Sequence, residues 1–187
     1  QGGKAGENQK VILSVMTDTG FEAVSKKYSE NQNVKIFYFP LDDFFAIKKL
    51  YKKYEIEKTI VVETEIWPNL YYFAAKSGKL FIVNGRLTEK KLKSYLKFGW
   101  LIRKTLNRAT EIMVQSIPDK ERYEKLGLDK TKIKVYKNLK YSIKYNKISD
   151  EQKKHYYDTV VNRNKKVIVC GSTRPDEEKI WLEVFEK

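Results

Sequence analysis

Thr59-Ile60-Val61-Val62-Glu63-Thr64-Glu65-Ile66-Trp67-Pro68-Asn69 is the stretch from which the rest of this chain can be read. A β-branched run breaks off into two carboxylates, and Trp67-Pro68 follows at once. Ile60, Val61 and Val62 predict a short strand buried on both faces, the pattern of a parallel strand between helical layers. Pro68 lacks the N–H that an interior helical turn needs, so it predicts the first turn of a helix. Glu63 and Glu65 therefore fall between the carboxyl end of a strand and the amino end of a helix. In open α/β sheets that edge is where ligands bind. A purely structural role competes for each glutamate, because a helix dipole favours acidic residues near its start. If the strand persists to Glu65, alternation puts both glutamates on one face and Thr64 on the other.

Upstream, residues 34–39 read as a strand stopped by Pro40. Residues 41–54 read as a helix carrying Phe44, Phe45, Ile47, Leu50 and Tyr51 at helical spacing, a core pattern. Residues 11–16 form the first clear strand, which ends in Thr17-Asp18-Thr19-Gly20 before a helix over 21–28. That turn offers N–H groups and hydroxyls to an anion or a sugar, although N-capping is the commoner use of such residues. Ahead of it, Gln1-Gly2-Gly3-Lys4-Ala5-Gly6-Glu7-Asn8 is too glycine-rich for a helix interior. It reads as a loop whose backbone can approach a ligand, with one acid, Glu7.

Downstream, a helix over 67–76 closes at Ser77-Gly78, and a strand over 80–83 ends in Asn84-Gly85-Arg86. The planar fork of Arg86 suits a phosphate or carboxylate better than a lysine would. Residues 87–108 predict one long amphipathic helix. Leu92, Tyr95, Leu96, Trp100, Leu101 and Leu106 alternate there with Lys90, Lys91, Lys93, Lys97, Arg103 and Lys104. Such a basic face can lie on a membrane, and a core-packed helix with a solvated lysine face competes with that reading. A strand over 111–114 runs into Gln115-Ser116. Pro118 starts a helix ending at Leu126-Gly127, and 133–136 is a further strand.

Short apolar strands alternating with helical segments predict right-handed parallel crossovers, hence an α/β fold with a doubly wound parallel sheet. Residues 1–140 form that domain. Residues 141–165 change to a charged linker with a helix over 149–161. Residues 166–187 then offer a strand (166–170), a turn and a helix (176–185), read as the first β-α of a second Rossmann-like domain that is cut short.

The 187 residues suffice for one domain or one domain plus the beginning of another. The hydrophobic fraction is 41%, and no run approaches the roughly 20 apolar residues of a membrane-spanning helix. The sequence opens on Gln1-Gly2-Gly3 rather than Met and without a basic-then-apolar leader, so no signal peptide is read in it and an upstream segment is expected to be missing. A net charge of +14, from 38 basic and 24 acidic residues, points to an anionic partner such as phospholipid, phosphorylated glycolipid or nucleic acid. Lysine supplies 32 of the basic residues, and genome bias toward lysine is the competing source of that charge. A single cysteine, Cys170, excludes an internal disulfide and a cysteine-cluster metal site, and the single histidine, His155, argues against zinc. No G-x-G-x-x-G follows the first strand, which disfavours a nucleotide-sugar epimerase or dehydrogenase.

Taken in order, the motifs resemble the transferases of 3-deoxy-D-manno-octulosonic acid (Kdo). Glu63-Thr64-Glu65-Ile66-Trp67-Pro68-Asn69 looks like that family's ETE-[LI]-WPN block. Asn84-Gly85-Arg86-Leu87-Thr88 looks like N-A-R-L-S, and Gln115-Ser116 with Asp119 and Arg122 like Q-S-x-x-D-x-x-R. Thr17 to Gly20 matches T-x-T-G, Pro40-Leu41-Asp42 matches P-L-D, and Asn138-Leu139-Lys140 matches G-N-L-K. Ser172-Thr173 with Glu177-Glu178 matches S-T-x-x-x-E-E.

The resemblance implies a two-domain GT-B glycosyltransferase. A Rossmann-like N-terminal half, normally preceded by a membrane anchor, takes a lipid A precursor, and a C-terminal half takes CMP-Kdo. It further implies inverting transfer in lipopolysaccharide biosynthesis, at the cytoplasmic face of the bacterial inner membrane. No metal or other cofactor, no nucleic acid and no obligate protein partner is implied. Gly6-Glu7 aligns with the family's S-V-G-E, whose glutamate is the proposed catalytic base. Gly6, Thr17, Thr19, Glu63, Glu65, Asn69, Asn84 and Arg86 would then meet the acceptor, and Lys140, Ser172 and Thr173 the donor. By itself this stretch is expected to be inactive. The family usually has His and Ser where this chain has Gln1 and Lys4, and Gly at Lys137. A cation at Lys4 would weaken Glu7 as a base. The alternative is a diverged, non-catalytic homologue that holds anionic lipid or nucleic acid on its basic face.

Overall fold

The computed structural model describes residues 9–136, 138–139, 148–159 and 170–185. The chain divides into two compact units, residues 1–142 and 143–187. In the first, strands and helices alternate: β1 (Val11–Val15), α1 (Asp18–Tyr28), β2 (Val34–Tyr38), α2 (Phe44–Tyr54), β3 (Lys58–Val62) and α3 (Pro68–Ser77). They continue as β4 (Lys79–Gly85), α4 (Glu89–Lys97), α5 (Gly99–Leu106), β5 (Glu111–Val114), α6 (Ile117–Lys125) and β6 (Ile133–Val135). All ladders are parallel, as the predicted α/β fold requires, and helices flank the sheets. The strands form two sheets rather than one. β1 pairs with β2, and a four-stranded sheet runs β3-β4-β5-β6.

The core gathers Leu80 and Ile82 of β4, Ile112 and Val114 of β5 and Ile133 of β6. Ile47 and Tyr51 of α2, Tyr71 and Ala74 of α3, Leu106 of α5 and Tyr123 of α6 close over them. β3 does not have the double burial expected of it. Val61 is 7% exposed, but Ile60 and Val62 are 63% and 56% exposed. As the edge strand of its sheet, β3 packs one face on the core and leaves the other open.

α2 starts later than predicted. Leu41 and Asp42 adopt left-handed backbone (φ 46° and 60°). The Asp43 carboxylate then caps the helix by accepting the Ala46 N–H at 2.7 Å. Of the aromatics read as core, Tyr51 is buried, whereas Phe45 points to solvent.

The single helix predicted over 87–108 is two. It breaks at Phe98 (φ −109°, ψ 31°), after which α5 takes its own course against α3. Leu92 and Leu106 remain in the core. Leu96, Phe98, Trp100 and Leu101 do not: Phe98 is 64% and Trp100 68% exposed.

Gly78 closes α3 where the chain passes close to the Glu57–Lys58 corner. A Cβ there would lie 1.9 Å from the Glu57 carbonyl oxygen, which accepts the Lys79 N–H at 2.8 Å. Gly78→Ala is therefore expected to destabilise by about 1–3 kcal/mol or more, the cost of forced overpacking. A thermal melt checks it, since each kcal/mol lowers Tm by roughly 2–4 °C at this size.

In the second unit, α7 (Asp150–Thr159) and α8 (Glu177–Phe185) stand where helices were predicted. Ser149 caps α7 by accepting the Gln152 N–H at 3.2 Å. Residues 166–169 of the predicted strand lie outside the described residues. Among the described residues, no helix is long and apolar enough to cross a membrane.

Candidate functional site

Because the ladders are parallel, the segments following β3, β4 and β5 leave one edge of the four-stranded sheet together. Backbone strain collects there. Glu63 has φ 64° and Asn84 φ 57°, conformations uncommon for residues other than glycine and tolerated best by Asn. At Asn84 the β4–β5 register also slips, between Ile82 and Gly85. The strand therefore bulges as it hands over to the 84–89 segment.

That segment is gripped along almost its whole length. The Asn84 carbonyl accepts from the Gln115 side-chain amide at 3.0 Å, and its own Oδ1 accepts the Leu139 N–H at 3.3 Å. The Gln115 oxygen in turn accepts from the Asn138 amide at 2.9 Å. The Gly85 carbonyl accepts the Gln115 N–H at 3.0 Å. Thr64, buried between two exposed glutamates, places its hydroxyl between the N–H and C=O of Arg86. The Leu87 N–H donates to the buried Asp119 carboxylate at 2.9 Å. The Ser116 hydroxyl donates to the other Asp119 oxygen, and Arg122 bridges Glu89 (2.8 Å) and Asp119 (3.5 Å). The Arg122 hydrogen bond holds the Glu89 carboxyl below its usual range.

Out of this fixed backbone the Arg86 side chain projects into solvent. Among the described residues nothing pairs with its guanidinium. Glu63 and Glu65 are exposed beside it, with Thr64 turned inward. The alternation foreseen for a continuing strand is thus reached after the strand has ended at Val62. Glu65 makes no ion pair with Arg86 among the described residues; its backbone carbonyl accepts from the Tyr71 hydroxyl at 2.7 Å. Burial holds the Tyr71 and Tyr123 phenols far above the ordinary tyrosine range, so both remain hydrogen-bond donors.

Other predicted site residues have structural partners. Thr17 accepts the Gly20 N–H at 3.1 Å and caps α1, and Thr19 leans on Thr17 at 3.4 Å. Asn69 is tied to Asp42: its side-chain amide donates to the Asp42 carbonyl at 2.8 Å, and its N–H to the Asp42 carboxylate at 3.0 Å. The second Asp42 oxygen accepts the Leu70 N–H at 2.8 Å. Trp67 at the N-cap has no side chain that can cap α3, so Asp42 supplies the anion the helix start favours. Gly6, Glu7 and Lys140 lie outside the described residues. In the second unit, Ser172 has φ 58°. The Thr173 hydroxyl binds the Glu178 carboxylate and keeps it below its usual range.

Sequence reasoning assigned no role to Thr64, Gln115, Asp119 or Tyr123, which hold the 84–89 segment. The available signal was the placement of polar residues directly after β3 and β5, where a strand end leaves backbone groups unpaired. Among the described residues no cluster of three His, Cys, Asp or Glu side chains could hold a metal.

Comparison with known proteins now bears on this arrangement. A bifunctional glycosyltransferase/methyltransferase of Fusobacterium nucleatum is 38% identical over 96% of this chain and 28% of its own length. A 3-deoxy-D-manno-octulosonic acid transferase of Rickettsia typhi is 25% identical over 97% of the chain and 38% of that protein. One of Haemophilus influenzae is 27% identical over 92% of the chain and 40% of that protein. The chain thus spans well under half the length of these relatives. The family model described as 3-deoxy-D-manno-octulosonic-acid transferase (kdotransferase) matches residues 3–143, most of the first unit. The chain belongs to the Kdo transferase family.

Proposed function

We propose that this chain is the acceptor-binding part of an enzyme that transfers Kdo from CMP-Kdo to a lipid A precursor, at the cytoplasmic face of the bacterial inner membrane. The observation that carries this reading is Arg86 directly after β4, its guanidinium without a partner among the described residues and its backbone held by Thr64, whose sequence neighbours Glu63 and Glu65 are exposed. An arginine so held is pre-organised for a phosphate, and the two carboxylates can accept hydrogen bonds from sugar hydroxyls.

In the inverting reaction, an acceptor hydroxyl attacks the anomeric carbon of Kdo from the face opposite the CMP phosphate. The new C–O bond forms as the bond to the phosphate oxygen breaks, and CMP leaves with the electron pair. Glu7 takes the hydroxyl proton. Lys140, Ser172 and Thr173 belong to the donor side. No cofactor, nucleic acid or further protein takes part.

The break between α4 and α5 supports the membrane assignment. Phe98 and Trp100 stand exposed at the break, and Lys93, Lys97, Arg103 and Lys104 of the two flanking helices are exposed as well. Aromatic side chains in a basic surround suit the headgroup region of an anionic bilayer. Replacing Phe98 and Trp100 together by serine in the complete protein is expected to weaken binding to phosphatidylglycerol-containing vesicles about tenfold or more. Co-sedimentation at matched ionic strength measures it.

The decisive test of the function is transfer of Kdo from CMP-Kdo to lipid A precursor by the complete protein. Salt-sensitive vesicle binding without any transfer would replace this reading with the non-catalytic one.

A further inference from the structure

We propose that Thr64 and Tyr123 are positioning residues that set the aim of Arg86, and through it the affinity for the acceptor's phosphate. The inference rests on the proposal that Arg86 meets that phosphate. A threonine hydroxyl has one proton and two acceptor positions. At Thr64 all three are used. The proton goes to the Arg86 carbonyl, one lone pair accepts the Arg86 N–H at 3.0 Å, and the other faces the Tyr123 hydroxyl at 2.9 Å. With its single proton committed, Thr64 must accept from Tyr123, and burial keeps that phenol protonated to donate.

Three features mark the arrangement as a device for Arg86 and not general packing. Thr64 and Tyr123 lie 59 residues apart in the sequence and meet in the interior, where both side chains are buried. Both backbone groups held by Thr64 belong to a single residue, so the hydroxyl fixes one peptide flank on each side of the Arg86 Cα. The side chain launched from that Cα has no other anchor among the described residues. Its starting direction is thus set by Thr64, while Asp119 holds the next residue, Leu87.

The experiment uses the complete protein and steady-state transfer to a lipid A precursor, with its phosphates intact or removed by phosphatase. Thr64→Val, close to isosteric, is expected to raise KM for the intact acceptor about tenfold, leaving KM for CMP-Kdo unchanged. Thr64→Ser should restore most of the loss. Tyr123→Phe, which removes only the donor, should raise KM about threefold. In an Arg86→Ala background, and with the dephosphorylated acceptor, Thr64→Val should add nothing further, the non-additivity of residues acting through one another. Leu126→Ala serves as a control: a comparable drop in melting temperature with KM unchanged separates aim from loss of stability. The inference is overturned if Thr64→Val raises KM equally with and without Arg86, or equally for both acceptors. Should Arg86→Ala itself leave acceptor KM unaltered, the phosphate reading of Arg86 falls and this inference falls with it.

Discussion

Glu7→Gln in the complete protein is expected to lower kcat for Kdo transfer between about 100- and 10,000-fold, the range that a positioned general base contributes. Glutamine keeps the size and hydrogen-bonding shape of the side chain and removes only its ability to take a proton. KM for the lipid acceptor and for CMP-Kdo should therefore change little. Glycines stand at positions 2, 3 and 6 of the sequence around Glu7. Lys4 adds a cation three residues away, where the family usually has serine, and Lys4→Ser should if anything raise the rate. Turnover within a few-fold of wild type in the Glu7→Gln protein would assign the base elsewhere, with Glu63 and Glu65 next to be tried.

Asp119→Ala is expected to have the largest effect on structure. The carboxylate is buried and accepts from the Leu87 N–H and the Ser116 hydroxyl, with Arg122 beside it. Alanine would strand a buried N–H and leave Arg122 with only Glu89. Hydrogen bonds to a charged group contribute about 1.5–3 kcal/mol each, so a loss of roughly 3–5 kcal/mol follows once partial relaxation is allowed. The effect should be local first. Amide exchange of the peptide spanning 84–89 should speed up by about 30-fold or more, the equivalent of roughly 2 kcal/mol of local opening. Asp119→Asn, which keeps one acceptor for Leu87, should lie between the two. Unchanged exchange at Leu87 in the alanine variant would mean that the segment does not depend on this grip.

Much of the fold was legible because its punctuation is local. β5 occupies the predicted residues, and β1, β2 and β6 end within one residue of expectation, each bounded by polar turn residues or by Pro40. Two features were not. Apolar spacing runs unbroken from Leu92 to Leu106, and one glycine costs a helix only about 1 kcal/mol, so nothing local announces the break at Phe98. Likewise Ile60-Val61-Val62 has the composition of a central strand, but composition does not say how many neighbours a strand has. β4, with Leu80 and Ile82 buried, and β5, with Ile112 and Val114 buried, take the two inner positions instead.

The site divides in the same way. That Arg86 leaves the end of a strand was readable from Val83-Asn84-Gly85-Arg86. That Asn69 is occupied by Asp42, 27 residues earlier, and Arg86 by Thr64, 22 residues earlier, was not. Those pairings depend on which strand ends become neighbours, and side chains reveal that only after the sheet exists.

The side-chain amides of Asn138 and Gln115 form a row that ends on the backbone carbonyl of Asn84. Each hydrogen bond in that row points the same way, from Asn138 to Gln115 and from Gln115 to the Asn84 carbonyl. Gln115 is a donor on one side and an acceptor on the other, a division that an amide can make and a carboxylate cannot. A glutamate at 115 would still receive Asn138 but would set two oxygens against each other at Asn84. The row therefore has a polarity, and its direction rests on the side chains at 115 and 138 alone, because the acceptor at 84 is a backbone carbonyl that any residue would supply.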